Sequence, residues 1–171
     1  MNLHFTKETP KELVFECIAE YLHLNHLKID TQDNTRPWGG FFVIEETEAV
    51  KFIQLYFPHL TKEDLSISGK LSPKILVVAP EKRLSWQYHY RRAEIWKLIG
   101  GIAAVATSDT DEEKDIQQLS IGDIVQLKQG ERHRLIGLDN WGIVAEIWQH
   151  TDSNNPSNED DIVRLQDDFG R

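Results

Sequence analysis

The fold is indicated by a β-rich stretch in the middle of the chain, residues 74–107, which reads KILVVAPEKRLSWQYHYRRAEIWKLIGGIAAVAT. Four short strand-like runs occupy this stretch, at 74–78, 84–90, 94–99 and 102–107. Three more runs follow, at 123–127, 132–136 and 142–148. Turn residues separate the runs, among them Gly100-Gly101, Gly122, Gly130 and Asp139-Asn140. Seven short strands in succession, with no helical period between them, predict an antiparallel β-sandwich or barrel.

The N-terminal part of the chain has a helical pattern instead. Thr9-Pro10-Lys11-Glu12 is typical of a helix start, with a capping box and a proline at the first helical position. Apolar residues recur behind it at helical spacing: Leu13, Val14, Cys17, Ile18, Tyr21 and Leu22. The following patterns predict a polar connection, a strand and a second helix, at 30–37, 38–44 and 49–57. We expect an N-terminal helical extension at 1–35 and a β-domain at 36–171.

Composition limits the class of protein. The chain has 171 residues, of which 40% are hydrophobic and 27% charged, as is ordinary for a folded domain. Its net charge of -9 gives no general attraction to nucleic acid or to an anionic membrane. The sequence has one cysteine, Cys17, no leader-like start and no apolar run near the ~20 residues of a membrane span. We expect a soluble, cytoplasmic protein with no nucleic-acid or membrane partner.

Residues of metal-ligating type lie in the predicted strands. Gln87 and His89 are two residues apart in one strand, so both side chains leave the same face. Glu94 begins the next strand after a short turn, and His133 opens a strand near the other end of the β-region. Two imidazoles, a carboxylate and an amide oxygen suit a divalent cation such as Zn²⁺, Mn²⁺ or Fe²⁺. A purely structural or surface role is the alternative that spacing alone leaves open.

Basic residues cluster around the same strands. Eight of the nineteen lysines and arginines flank the candidate ligands: Lys82, Arg83, Arg91, Arg92, Lys97, Lys128, Arg132 and Arg134. Such a cluster in an acidic protein predicts an anionic small molecule, phosphate first, although cross-strand ion pairing would explain it equally well. Arg91 shares the strand parity of His89, whereas Arg134 has the opposite parity to His133 and needs a bend to reach the same cavity.

Four stretches resemble a known family. Residues 80–96, PEKRLSWQYHYRRAEIW, resemble the metal-binding segment of the type II phosphomannose isomerase group of cupins. Residues 122–135, ending in Gly130-Glu131-Arg132-His133-Arg134-Leu135, resemble the second cupin motif. Two flanking signatures agree with the group: Arg36-Pro37-Trp38-Gly39, and Glu159-Asp160-Asp161-Ile162-Val163-Arg164 with Phe169-Gly170-Arg171. The resemblance covers residues 36–171 and implies a mainly β fold, a small antiparallel cupin barrel or jelly roll behind the N-terminal helical extension.

The resemblance also implies a ligand set. The metal ligands of the group fall on Gln87, His89, Glu94 and His133, for one divalent ion, zinc first with manganese or iron as alternatives. The chain departs from the usual cupin pattern at three other positions: Glu81 for glycine, Lys128 for proline and Gly137 for asparagine. None of the three departures removes a ligand, but they put an identical substrate geometry in doubt.

The function that the resemblance implies is a metal-dependent aldose–ketose isomerase of a sugar phosphate. Mannose 6-phosphate and fructose 6-phosphate are the leading pair, with heptose and pentose phosphates open. We expect Arg91 and Arg134 to bind substrate, and Arg134 and Lys97 to act in catalysis, although strand parity argues against Lys97. The alternatives are a cupin module that binds sugar or sugar phosphate without turnover, and an iron-dependent oxygenase. Barrels of this size often pair through their sheets, which leaves a homodimer open.

Overall fold

The computed structural model describes residues 3–171 as a mainly β protein with helices near its N-terminus. The helices are α1 (Lys11–Leu24), α2 (Ala49–Tyr56) and α3 (Lys62–Leu65), with a 3₁₀ turn at Glu46–Glu48. The strands are β1 (Ile29–Asp33), β2 (Gly39–Ile44), β3 (Lys74–Val78), β4 (Trp86–Tyr88), β5 (Arg92–Ser108), β6 (Ile116–Leu119), β7 (Ile124–Leu127), β8 (Arg132–His150) and β9 (Val163–Gln166). No helix within the described residues is long and apolar enough to cross a membrane.

Two long, bent strands form the spine of the sheet. β5 and β8 pair antiparallel along nearly their whole length, from Arg92↔His150 to Ser108↔Arg132. One half of β8 pairs on its other edge with β3, and the other half contacts β4, which in turn pairs with β9. All strand pairs are antiparallel, which confirms the predicted antiparallel β-architecture.

Glycines bend the spine where the sequence predicts turns. The β5–β8 register shifts on both sides of Gly101, whose φ is 67°. A Cβ at Gly101 would lie 1.8 Å from the Trp141 carbonyl oxygen, so only glycine allows this close approach. The predicted breaks at Gly100-Gly101 and Asp139-Asn140 are therefore wrong, because the chain continues through both as β5 and β8.

Side chains alternate between the interior of the barrel and its outer face. On β8, Val144 belongs to the interior cluster, whereas Ile143 and Ala145 belong to the outer one. On β5 the interior apolar positions include Trp96, Leu98, Ala103 and Val105. This alternation decides which polar residues of the long strands reach the interior.

The N-terminal segment covers the outer face of the sheet. Phe15 of α1 stacks on Phe42 of β2, with ring centroids 5.1 Å apart, and both belong to one cluster with Ile143. β1, at 29–33, overlaps the expected polar connection at 30–37 and pairs with β2. Residues on the two sides of the expected 35/36 boundary thus share one sheet and one apolar core. The predicted capping box is wrong: Pro10 is the N-cap of α1, and no side chain caps this helix.

Candidate metal centre and cavity

A cavity of about 320 Å³ lies at the polar end of the barrel interior. Its basic lining residues come from five separate parts of the chain: Arg36, Lys74, Arg92, Arg164 and Arg171. Its acidic lining residues are Glu94, Glu146, Glu159 and Asp160. The wall is therefore highly charged, and this composition suits a polar small molecule better than an apolar one.

Three of the four predicted ligands converge beside this cavity, which Glu94 lines. His89, Glu94 and His133 each offer a ligand atom within 4.8 Å of the others. The Nε2 atoms of His89 and His133 lie 3.2 and 3.4 Å from the two carboxylate oxygens of Glu94. All three side chains are at most 2% exposed, so the group sits inside the barrel and not on its surface.

Backbone carbonyls fix the orientation of both imidazoles. The Nδ1 of His89 donates to the Asp161 carbonyl at 2.6 Å, and the Nδ1 of His133 donates to the Glu131 carbonyl at 2.9 Å. A carbonyl oxygen can only accept, so in each neutral ring the proton is on Nδ1 and the Nε2 lone pair faces Glu94. Metal-binding histidines are commonly held in this way.

The donor set fits a divalent cation. Arg92 contacts Oε1 of Glu94 and Nε2 of His89, whereas Oε2 of Glu94 and the Nε2 lone pair of His133 face each other at 3.4 Å, an arrangement that a bound cation would stabilise. Within the described residues, the buried Oε2 of Glu94 and Nε2 of His133 have no hydrogen-bond partner. Their chemistry and spacing therefore give a site that could hold a metal ion, without identifying the metal.

Charges around the group keep it in the protonation state that metal binding needs. Burial lowers the pKa of His89 to about 3, so its imidazole is neutral near neutral pH. Burial alone would raise the pKa of Glu94, but its polar neighbours, the cationic Arg92 among them, outweigh burial, and the pKa lies well below its ordinary value. Glu94 is therefore an anion beside the neutral imidazole of His89.

Gln87 lies beside the group, with its amide turned away from a ligating orientation. Its Nε2 lies 3.5 Å from Nε2 of His89, while its Oε1 accepts a hydrogen bond from Ser85 Oγ at 2.5 Å. Gln87 also pairs across the strands with His133. An amide rotation would bring Oε1 toward the other three ligand atoms.

Arg92 is the cation nearest to the group. Its Nε donates to Oε1 of Glu94 at 2.6 Å, and one terminal nitrogen lies 3.1 Å from Nε2 of His89. The other terminal nitrogen donates to Ser157 Oγ at 2.7 Å, and the guanidinium stacks over the Trp148 ring, 3.7 Å from its centroid. This buried arginine therefore contacts two of the three candidate ligands.

Glu146 is a cavity residue that was not predicted from the sequence. It occupies an interior position on β8, is 4% exposed, and accepts a hydrogen bond from Trp96 Nε1 at 2.9 Å. Burial, followed by repulsion from Glu94, raises its pKa to about 8. The sequence does contain a signal for Glu146: it is the one charged residue in the run GIVAEIW, residues 142–148, whose other members are glycine or apolar.

The three predicted substrate or catalytic cations lie elsewhere. Lys97 is on the outer face of β5, where Nζ donates to the Tyr56 carbonyl of α2, as its parity indicated. Arg134 is fully buried on the outer side of β8 and pairs with Glu113 at 3.1 Å. Arg91 is bound by Asn155, with Asp161 nearby. None of the three lines the cavity: Lys97 and Arg134 lie on the outer faces of β5 and β8, and contacts with the 155–161 loop hold Arg91. Their expected roles in binding and catalysis stay predictions.

An antiparallel barrel with an inward-facing His-Glu-His group defines the chain as a cupin. The sequence model of the family described as mannose-6-phosphate isomerase C-terminal matches residues 49–167, and the chain belongs to this family. The predicted membership is thereby confirmed.

Among solved structures, oxalate decarboxylase from Bacillus subtilis aligns with a TM-score of 0.57 at 19% identity, covering 80% of this chain and 30% of that one. CapF aligns with a TM-score of 0.52 at 14% identity, over 82% and 34% of the two chains. Similarity at this level concerns the fold alone.

Curated relatives are longer proteins. The alginate biosynthesis protein AlgA of Pseudomonas aeruginosa is 30% identical over 125 residues, which are 73% of this chain and 24% of AlgA. A mannose-1-phosphate guanylyltransferase of Salmonella montevideo is 27% identical over 124 residues, 72% of this chain and 25% of that protein. This chain thus spans about a quarter of the length of the relatives that it matches.

Proposed function

We propose that this protein is a metal-dependent aldose–ketose isomerase of a sugar phosphate. Mannose 6-phosphate and fructose 6-phosphate form the first substrate pair, with heptose and pentose phosphates as alternatives. The observation that carries the proposal is the His89–Glu94–His133 group beside a charged cavity to which five basic side chains contribute. The family description, which names mannose-6-phosphate isomerase, supports the substrate class.

Aldose–ketose isomerisation needs positive charge beside the carbonyl and hydroxyl oxygens of the sugar. It also needs a group that moves a proton between the two adjacent carbons. A divalent ion held by His89, Glu94 and His133, zinc first with manganese or iron as alternatives, would supply Lewis acidity toward the carbonyl and hydroxyl oxygens. Gln87 is the fourth ligand in this proposal, once its amide has rotated to turn Oε1 inward.

Glu146 is the residue to which we assign the proton transfer. Its carboxyl lines the same cavity as Glu94, is shielded from water, and is held through Oε1 by the Trp96 indole. A pKa near 8 allows a carboxyl group both to take a proton from one carbon and to return it to the next near neutral pH. Glu146 takes the place of Lys97 in this role.

The runner-up function is a module that binds a sugar phosphate without turnover. One observation favours it: Arg92 already contacts Glu94 and His89, so an arginine could neutralise the carboxylate in place of a metal ion. The cavity would then still attract an anion, but it would lack the Lewis acid that isomerisation requires.

Deuterium exchange separates the two functions. Metal-loaded protein is incubated in D₂O with mannose 6-phosphate, and NMR follows deuterium entry at C2 and the appearance of the ketose. The controls are chelated protein, His89→Ala and Glu146→Gln. We expect exchange in the loaded wild type and a loss of at least about a hundredfold in each control, because chelation and His89→Ala remove the Lewis acid and Glu146→Gln removes the acid–base group. Binding without exchange for hexose, heptose and pentose phosphates alike would contradict the isomerase and favour the binding module.

A further inference from the structure

Two signature motifs that contribute no candidate metal ligand meet at the rim of the cavity. Arg36 precedes β2 in the Arg-Pro-Trp-Gly motif, Arg164 lies on β9, and Arg171 ends the described chain. All three side chains line the cavity that holds Glu94 and Gln87. The fold thereby brings together arginines from opposite ends of the sequence.

Strand pairing sets the position of Arg164 relative to the candidate metal centre. Arg164 of β9 is the cross-strand partner of Gln87 on β4, and Gln87 is the partner of His133 on β8. The three residues form a row across neighbouring strands, which are spaced about 4.8 Å apart. Arg164 therefore lies about 10 Å from His133 along the sheet, a separation comparable with the length of a six-carbon chain that carries a terminal phosphate.

Two of the three arginines have carboxylate partners and the third has none. Arg36 pairs with Asp33 at 2.7 Å, and Arg171 pairs with Asp167 at 2.7 Å. Arg164 makes no ion pair and donates no side-chain hydrogen bond within residues 3–171, although the exposed Asp160 also lines this cavity. The donors of Arg164 are therefore available to a ligand.

The guanidinium groups of these three arginines repel one another. Partial burial of the otherwise exposed Arg164, then repulsion from Arg171, lowers its pKa; Arg36 adds to the effect, and Asp167 and Glu159 oppose it. A dianion placed among the guanidinium groups would relieve this repulsion, and guanidinium groups match the oxygens of a phosphoryl group in geometry.

We propose that Arg36, Arg164 and Arg171 form the subsite for the phosphoryl group of the substrate, with Arg164 as its central donor. The inference rests on the proposed function for the identity of the sugar, but not for the binding of the anion. It replaces Arg91 and Arg134, the pair expected from the sequence, with three residues that line the cavity.

Isothermal titration of the full chain tests the subsite without requiring turnover. Wild type, Arg164→Gln and Arg171→Gln are titrated with mannose 6-phosphate, inorganic phosphate and mannose. We expect Arg164→Gln to bind both phosphate compounds at least about tenfold more weakly, as follows from the loss of a charge-assisted hydrogen bond, and to bind mannose unchanged. Arg171→Gln should change the affinities in the same direction by a smaller factor.

The matched control is Arg83→Gln. Arg83 forms an ion pair with Asp168 of the same C-terminal segment at 2.7 Å, but it does not line the cavity. The proposal is overturned if Arg164→Gln keeps wild-type affinity for phosphate, or if Arg83→Gln weakens phosphate binding equally, which would assign the effect to docking of the segment. Phosphate binding that depends on Arg164, in a protein that exchanges no deuterium with any sugar phosphate, would support the subsite while refuting the isomerase.

Discussion

At the scale of single residues, the barrel interior keeps two carboxylates in opposite states. Glu94 is an anion because its polar neighbours, the cationic Arg92 among them, stabilise its charge, whereas Glu146 is pushed toward its neutral form by burial and by Glu94. Two carboxyl groups with such different pKa values are suited to different tasks. We assign to Glu94 the binding of a cation, whose charge it partly neutralises, and to Glu146 the proton transfer.

Glu146 should make the stability of the metal-free protein fall as the pH rises. Its folded pKa of about 8 lies above the ordinary value of 4.5, so between these values the native state holds a proton that the unfolded state has lost. The contribution of Glu146 to the free energy of unfolding is complete below pH 4.5 and is lost progressively up to about pH 8. In urea unfolding at pH 5, 6.5 and 8, the free energy of unfolding should decline less with pH in Glu146→Gln than in wild type. An unchanged decline would mean that Glu146 ionises normally.

At the scale of secondary structure elements, the bend in β5 depends on a backbone that only glycine tolerates. We expect Gly101→Ala to lower the free energy of unfolding by about 3 kcal/mol or more, because a Cβ would meet the Trp141 carbonyl at 1.8 Å and φ is positive. Gly130→Ala is the matched control: its φ of 77° is similar but no atom lies within 4 Å, so about 1 kcal/mol is expected. Equal losses in urea unfolding would show that crowding at Gly101 is unimportant.

The strands and the candidate site differ in how far the sequence predicts them. Alternation along a strand predicts that Gln87 and His89 share a face and that Lys97 opposes Glu94, and both hold in the structure. β1 was missed because its exposed run, IDTQD, lacks an apolar alternation. Glu146 and Arg164 were missed because their positions depend on the pairing of β8 with β5 and of β9 with β4, which a local pattern does not encode.

At the scale of the whole molecule, the N-terminal helix and the barrel share one apolar core. Phe15 is 2% exposed and packs on Phe42, so Phe15→Ala should lower the free energy of unfolding by about 3–5 kcal/mol. Because the core is continuous, tryptophan fluorescence and far-UV circular dichroism should report one coincident transition. Leu13→Ala, at a position on the same helix that is 47% exposed, should change stability by less than about 1 kcal/mol. Two separate transitions would show that the helix folds apart from the barrel.

The same outer-face packing explains why the site lies inside the barrel. α2 covers the outer side of β5 and receives Lys97, while the 157–161 loop closes the polar end through Ser157 and the Asp161 carbonyl. With one face covered by helices, the opposite face of the same strands is left to hold His89, Glu94 and His133. The location of the candidate metal centre is thus a consequence of the whole topology.

The central claim is that the His89–Glu94–His133 group holds one divalent ion. The direct test is the metal content and zinc-binding isotherm of the purified chain, compared with Glu94→Gln and His133→Ala, with the distant His59→Ala as control. We predict one ion per wild-type chain and per His59→Ala chain, with affinity at least about a hundredfold weaker in the other two variants, because each removes a ligand. A wild-type protein that binds no divalent ion, or a Glu94→Gln variant that binds one as tightly as wild type, would contradict the claim.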